Sequence, residues 1–387
     1  MLPEVMASEI VSAFVLSGLC VLGFDPLCHR LGHIDRPGRR KRHQVPTPLS
    51  GGFAIAASLV VILPIRVPGR ETLGLLVGIV ILLLLGARDD RRHVPPVVRL
   101  LCQFVSVALG MVAIGGVDVS RVGPLFGGVN PELGAFSFVL TVFGTLTLIN
   151  AINMIDGIDG LAAGFGLLVM CALLGESLTA SPTQIAFLSV IIGAIGGFLL
   201  FNMHLPWQAR ARSFLGDAGS LMLGFVVSWF LIHNSQGASA SIAPITAVWF
   251  VGLPLADLCC VMAMRLSRGR SPLRGDRQHF HHLLLRSGCT AGQTCVVWLC
   301  CAGCFMGIGA LMQSFGVPIW QRLVGALAAL TVYALWIRWA WRRLAARVLR
   351  NRSTDRLRAR GRHRAGAQAK VSAPATRHRV KRRTDSP

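Results

Sequence analysis

The chain has 387 residues, 53% hydrophobic and only 14% charged, with a mean hydropathy of +0.59 and a formal net charge of +22. A soluble domain carries about 25% charged residues, so the composition excludes an ordinary soluble enzyme and implies an all-α polytopic membrane protein. Excess positive charge of this size suits nucleic acid, but its placement along the chain makes that partner unlikely.

Eleven stretches are apolar enough and, at roughly 17–25 residues, long enough to read as spanning helices. They fall near 8–27, 49–67, 71–87, 100–117, 133–150, 160–175, 185–203, 217–234, 242–264, 294–315 and 318–340, the third and sixth being short. The first is read as a retained span: no basic residue precedes Ile10, and no small-residue cleavage site follows it. With this count the segments 28–48, 88–99, 150–160, 204–216, 265–293 and the tail from Arg338 share one side and hold 35 of the 39 Lys and Arg. The other side keeps Arg66, Arg70, Arg121 and Arg322. The positive-inside rule makes the basic side cytoplasmic and the N-terminus external. The chain then divides into a membrane domain, 1–345, and a basic, disordered tail, 346–387, whose expected partner is anionic lipid.

The connections on the basic side carry the chemistry, in chain order. After the first span, Lys41 and His43 stand in a run of Arg before Gly51-Gly52, which reads equally as a phosphate-contact loop or as a basic membrane flank. The third span ends on Asp89-Asp90, with Arg99 opening the fourth. Adjacent carboxylates bind Mg²⁺ or, if repulsion raises one pKa, take a proton; a helix end bridged to Arg88, Arg91 and Arg92 is the other reading. The fifth span runs into Asn150, Asn153, Asp156 and Asp159, which in a helix recur every three residues on a drifting stripe; a glycine-rich turn at Gly157 and Gly160 with capping Asp and Asn is the other reading. Amide and carboxylate oxygens suit Mg²⁺, a hard ion that keeps several waters. Asp217, between Gly216 and Gly219, opens the eighth span, either as a plain N-cap or at a helix N-terminus that favours phosphate.

Past the ninth span come Arg277, His279, His281 and His282. Histidines at this spacing suit zinc, but with Arg around them and no Cys or H-E-x-x-H nearby they fit a diphosphate better. Cys301 and Cys304 form a C-x-x-C inside an apolar span and read as packing residues.

Together these five segments, over about 30–290, resemble the polyprenyl-phosphate N-acetylhexosamine-1-phosphate transferase family, of glycosyltransferase family 4 type. The run from Ser271-Pro272 through Asp276-Arg-Gln-His-Phe-His-His is its most specific part and is closest to the undecaprenyl-phosphate GlcNAc-1-phosphate branch. The resemblance implies about eleven spans and transfer of GlcNAc-1-phosphate from UDP-GlcNAc to undecaprenyl phosphate with release of UMP, the initiating step of a cell-envelope polysaccharide. It implies a Mg²⁺ requirement, with Mn²⁺ as a substitute. By motif position Asn153 and Asp217 are implied as the metal ligands, and Asp89, with Asp90 beside it, as the acidic residue near the lipid phosphate. Asp156 and Asp159 are implied to shape the nucleotide and metal site. His279, His281 and His282, with Arg277, are implied to hold the diphosphate and sugar, Asn150 standing with the substrate contacts. Arg99 departs from the usual Lys, keeping the charge with a different geometry, and Val94-Pro95 stand where Leu-Ser is more usual. The expected mechanism is a single displacement between two phosphates. A secondary transporter or flippase that couples ions through the same carboxylates is the reading from another class.

Overall fold

The computed structural model describes residues 2–37, 45–124, 128–178, 181–204, 208, 210–238, 240–270 and 278–371, with side chains from 4 to 346 within those ranges. Lys41, His43 and Arg277 lie outside the described residues. The described chain is helical apart from one short ribbon: α1 (Leu2–Leu31), β1 (Ile34–Asp35), β2 (Thr47–Pro48), α2 (Gly51–Arg66), α3 (Arg70–Arg91), α4 (Pro96–Val105), α5 (Phe136–Ile155), α6 (Leu161–Glu176), α7 (Pro182–Asn202), α8 (Gly216–His233), α9 (Pro244–Phe250), α10 (Gly252–Leu266), α11 (Phe280–Arg286), α12 (Ala291–Ser314) and α13 (Ile319–Val371). The strands are antiparallel, with Ile34 opposite Pro48 and Asp35 opposite Thr47.

Each of the eleven apolar stretches is helical. Among the described residues eight helices have the length and hydropathy to cross a membrane, α9 and α10 form a pair bent by 72°, and α2 and α6 are shorter apolar helices. α4 continues as a π-helix through Ser106–Gly115. Proline opens α4, α7 and α9, where its missing N–H costs nothing. The bend at Val251 has a local cause. Pro254 lacks the N–H to bond Phe250, and its ring clashes with that carbonyl, so one straight helix cannot run through.

The chain divides into two compact units, Met1–Leu335 and Trp336–Pro387. In the first, α8 is the most buried of the long spans and packs against α2, α3, α5, α6 and α9. Its fit against α3 depends on Gly86, where a Cβ would lie 2.3 Å from Ala218 Cα. This approach brings the end of α3 against the first turn of α8. The Gly51-Gly52 pair belongs to the same packing. Both residues are buried, against Phe198 and Gly219.

Helix and turn are both open in the sequence after the fifth span, and the structure has a turn. α5 stops at Ile155, with Asp156 as its C-cap, and the chain turns through Gly157 and Gly160 before α6. Gly160 holds a φ of +78°, which favours glycine. Asn150 and Asn153 therefore lie on a helix, whereas Asp156 and Asp159 lie in a turn. All eleven cysteines are free thiols, Cys301 and Cys304 included.

Candidate functional site

The ends of α3 and α5 and the start of α8 bring five of the sequence-selected side chains together. Asp90, at the end of α3, caps α8 from outside. Its Oδ1 accepts the Asp217 N–H at 2.9 Å and its Oδ2 the Ala218 N–H at 3.3 Å. The first N–H groups of a helix have no partner within it, and a carboxylate there also meets the positive end of the helix dipole. The α8 N-terminus, one candidate phosphate site, is thus engaged by Asp90, and Asp217 is not the N-cap. Gly216 makes room with a φ of +70°; a Cβ there would sit 2.9 Å from Asp90 Oδ2. Behind Asp90 lies buried His33, whose pKa is lowered by burial and then by Arg91.

Asp89 turns toward Arg99. Its Oδ1 accepts the Val94 N–H at 2.8 Å and its Oδ2 accepts from the Arg99 guanidinium at 3.2 Å. Arg99 also donates to Asn153 Oδ1. The Asn153 amide nitrogen donates to Asp217 Oδ1 at 2.7 Å and to Ser220 Oγ at 2.8 Å. The resulting chain, Asp89–Arg99–Asn153–Asp217, links four helices. Arg suits this place because its fork serves two acceptors at once.

Asn150 stands one turn further inside. Its amide donates to Gln103 Oε1 and to the Leu146 carbonyl, both at 2.8 Å, so its donors are spent between helices. Asp159 meets His204 at 2.8 Å. The turn that carries Asp156 and Asp159 is anchored by Asn202, which accepts the Gly160 N–H at 2.7 Å and donates to the Ser213 carbonyl at 2.9 Å.

Asp156 sits in that turn near the other acids. Its carboxyl is pushed well above the usual carboxylate range, first by burial and then by Asp217, Asp90 and Asp159. A group that keeps its proton on folding destabilises the metal-free fold as pH rises from the unfolded value toward the folded one. Asp156→Asn is therefore expected to raise the melting temperature of chelator-treated protein near about pH 8 and to change it little below about pH 4. A lower melting temperature at the higher pH would contradict this electrostatic account.

The histidines form a second cluster beside the first. The His279 and His281 rings are stacked, 5.8 Å between centroids and 5° apart in plane, and His282 lies 4.1 Å from His281. Burial, followed by the two neighbouring imidazoles, pushes His281 well below the usual histidine range. A Cβ on Gly157 would lie 3.1 Å from His281 Nε2, so the cluster abuts the Asp156 turn. His279 Nδ1 meets Asp257 Oδ2 at 2.8 Å. Among the described residues no three His, Cys, Asp or Glu side chains group as a metal site, and the zinc reading of these histidines gains no support.

A cation nevertheless fits the acidic cluster. Its donors are hard oxygens, and the crowding felt at Asp156 is relieved by positive charge. Mg²⁺ takes few protein ligands and keeps waters and phosphate oxygens, so three grouped protein ligands are not needed. As placed, Asn153 shows its nitrogen to Asp217 and its oxygen to Arg99, and joint ligation by Asn153 and Asp217 requires the amide to turn over.

Sequence reasoning missed Asp257, Asn202 and His204, as well as the buried Asp25, which accepts from Ser50 at 2.6 Å. Asp25 and Asp257 had a readable signal, since a carboxylate inside an apolar span is costly unless partnered.

The fold and this cluster define an integral membrane protein with acidic, amide and arginine side chains tied together where helices end. Residues 72–235 match glycosyl transferase family 4. The undecaprenyl-phosphate alpha-N-acetylglucosaminyl 1-phosphate transferase of Escherichia coli (strain K12) is 34% identical over 358 residues, 90% of this chain and 96% of that protein. The proteins of the same name from Salmonella typhi and Haemophilus influenzae are 34% and 32% identical, each over 340 residues, covering 87% and 86% of this chain and 92% and 94% of theirs. The chain belongs to glycosyl transferase family 4.

Proposed function

We propose that the chain transfers GlcNAc-1-phosphate from UDP-GlcNAc to undecaprenyl phosphate, releasing UMP and leaving the sugar on a lipid diphosphate. The observation that carries this is likeness along nearly the whole length to transferases of that name, joined to a site in which Arg99, Asn153 and Asp217 are tied together. No observation favours the transporter or flippase alternative.

Two phosphates must meet, so charge neutralisation is the main demand on the protein. A divalent cation, Mg²⁺ with Mn²⁺ as substitute, would be held by Asp217 and Asn153 and would supply the missing positive charge on the diphosphate. Arg99, held in place by Asp89, faces the acceptor phosphate. An oxygen of that phosphate bonds to the sugar-bearing phosphorus, the bond from that phosphorus to the bridging oxygen breaks, and UMP leaves with the electron pair. The acceptor needs no strong base, because a phosphate monoester with a second pKa near about 6 is already largely ionised at neutral pH. Asp89 acts through Arg99, and Asp90 by fixing the α8 N-terminus. Asp156 and Asp159 shape the turn, and His279, His281 and His282, with Arg277, hold the diphosphate and sugar, Lys41 and His43 adding phosphate contacts.

The site then faces the cytoplasm of a bacterial inner membrane, with the N-terminus external. Residues 1–345 are the catalytic domain, and the basic residues of 346–387 bind anionic lipid. The product starts a cell-envelope polysaccharide.

Purified protein is expected to release UMP only when UDP-GlcNAc, undecaprenyl phosphate and Mg²⁺ are all present, and to stop on addition of EDTA. Release without the lipid, or turnover in excess EDTA, would count against the reading. Arg99→Lys keeps the charge but cannot fork to both Asp89 and Asn153; it should raise the KM for the lipid phosphate by about 3–10-fold, whereas Arg99→Ala should lower kcat/KM by about 10²-fold or more. Equal kinetics for the three proteins would remove Arg99 from the site.

A further inference from the structure

Asp257 lies in α10, buried among apolar residues with 1% of its surface exposed. The reaction as described leaves it without a task. A carboxylate inside an apolar span is costly and persists only with partners. Asp257 has three. Its Oδ2 meets His279 Nδ1 at 2.8 Å, and its Oδ1 accepts the Phe280 N–H at 3.0 Å and the Tyr333 hydroxyl at 2.8 Å. These contacts tie α10, the start of α11 and α13 to one carboxylate.

The arrangement constrains His279. An ionised carboxylate only accepts hydrogen bonds, so the proton between it and His279 sits on Nδ1. Only Nε2 is then left for a further partner. The ring is buried, with 3% of the residue exposed, and is stacked on His281, whose Nε2 abuts Gly157 beside Asp156. Among the described residues the charged and titratable groups recorded against His279 are Asp257, His281 and His282, with Tyr333 behind the carboxylate.

We propose that Asp257 is a positioning residue for the transfer reaction: it holds the Nδ1–H of His279 on its carboxylate, so that Nε2 is the nitrogen left for the nucleotide-sugar diphosphate, to which it donates when it carries a proton. The proposal rests on the transferase reading above. Asparagine at 257 is nearly the same size but has one acceptor oxygen, and its NH₂ would face one of three donors. Loss of an outer hydrogen-bond partner of this kind costs about 10–100-fold at metal-bound histidines, and a similar loss is expected here.

The test is a double-mutant cycle on full-length protein in detergent, with UMP release as the readout. Asp257→Asn should lower kcat by about 10–100-fold with a smaller change in the KM for UDP-GlcNAc. In a His279→Gln background the same change should cost no more than about 2–3-fold, because residues acting through one another are not additive. A near-wild-type Asp257→Asn, or losses that multiply across the cycle, would overturn the proposal. Should Asp257→Asn fail to fold, ¹⁵N-histidine spectra of wild type, assigned by comparison with His279→Gln, decide it: a ring protonated at Nδ1, with or without a proton on Nε2, supports the inference, and a ring protonated at Nε2 alone overturns it. An inactive wild type would sink the transferase reading instead, and the spectra, which need no turnover, would still decide whether Asp257 fixes the ring.

Discussion

Asp217→Asn is expected to lower UMP release by about 10³-fold or more relative to wild type, with little loss of folded protein. The two halves of this expectation have separate causes. Folding is spared because the α8 terminus is capped through backbone N–H groups by Asp90, and that contact does not involve the Asp217 side chain. Activity is lost because the substitution removes the charge that faces Asn153 and that, with Asp90 and Asp159, crowds Asp156. Removing the charge also removes the main reason for a cation to bind. Mg²⁺ should therefore raise the melting temperature of wild type and not that of the variant. A variant that retains turnover, or is stabilised by Mg²⁺ as wild type is, would place the metal elsewhere.

Gly86→Val is expected to have the second largest effect, through stability and activity together. The first added carbon would lie 2.3 Å from the Cα of Ala218, a backbone atom with no freedom to yield. Overpacking of this kind typically costs about 1–3 kcal/mol, and relief comes only from moving α3 away from α8. Gly86 is one helical turn before Asp90, so that movement also draws the cap off Asp217 and Ala218. Thermal melting in detergent should fall clearly, and the fraction that stays folded should show a much reduced kcat. Gly144→Val is the comparison, since a Cβ at Gly144 meets nothing within 4 Å; it should melt close to wild type. Equal melting temperatures for the two variants would contradict the close α3–α8 fit.

The helical fold was legible because apolar length is a strong signal in a chain with so few charges. Each apolar stretch is a helix, and even the two short ones, α2 and α6, were placed within a few residues. The bend at Val251 was not foreseen, although Pro254 beside Gly252 marks it in hindsight. The end of α5 was open in sequence: the spacing of Asn150, Asn153, Asp156 and Asp159 suits a helical stripe and the glycines suit a turn, and Gly157 with the positive φ at Gly160 makes the turn.

Within the site, the residue types were readable and their partners were not. Asp89 and Asp90 look alike in sequence. One meets an arginine from α4 and the other caps a helix 127 residues away, a division that depends on how α3 and α8 pack. Asn150 and Asn153 are likewise equivalent by pattern, yet one faces Gln103 and the other Asp217. Asp257 was overlooked because attention fell on charges at the span ends, while its partner His279 was noticed without its support.

The most direct test of the central claim follows the phosphorus. UDP-GlcNAc labelled in the sugar-bearing phosphate is incubated with purified protein, undecaprenyl phosphate and Mg²⁺, and the lipid and aqueous phases are counted. Transfer of the sugar together with its phosphate predicts label in the lipid, matched one for one by unlabelled UMP in water. Label that stays in water as UDP while sugar enters the lipid, or no lipid product from folded protein, would contradict the account.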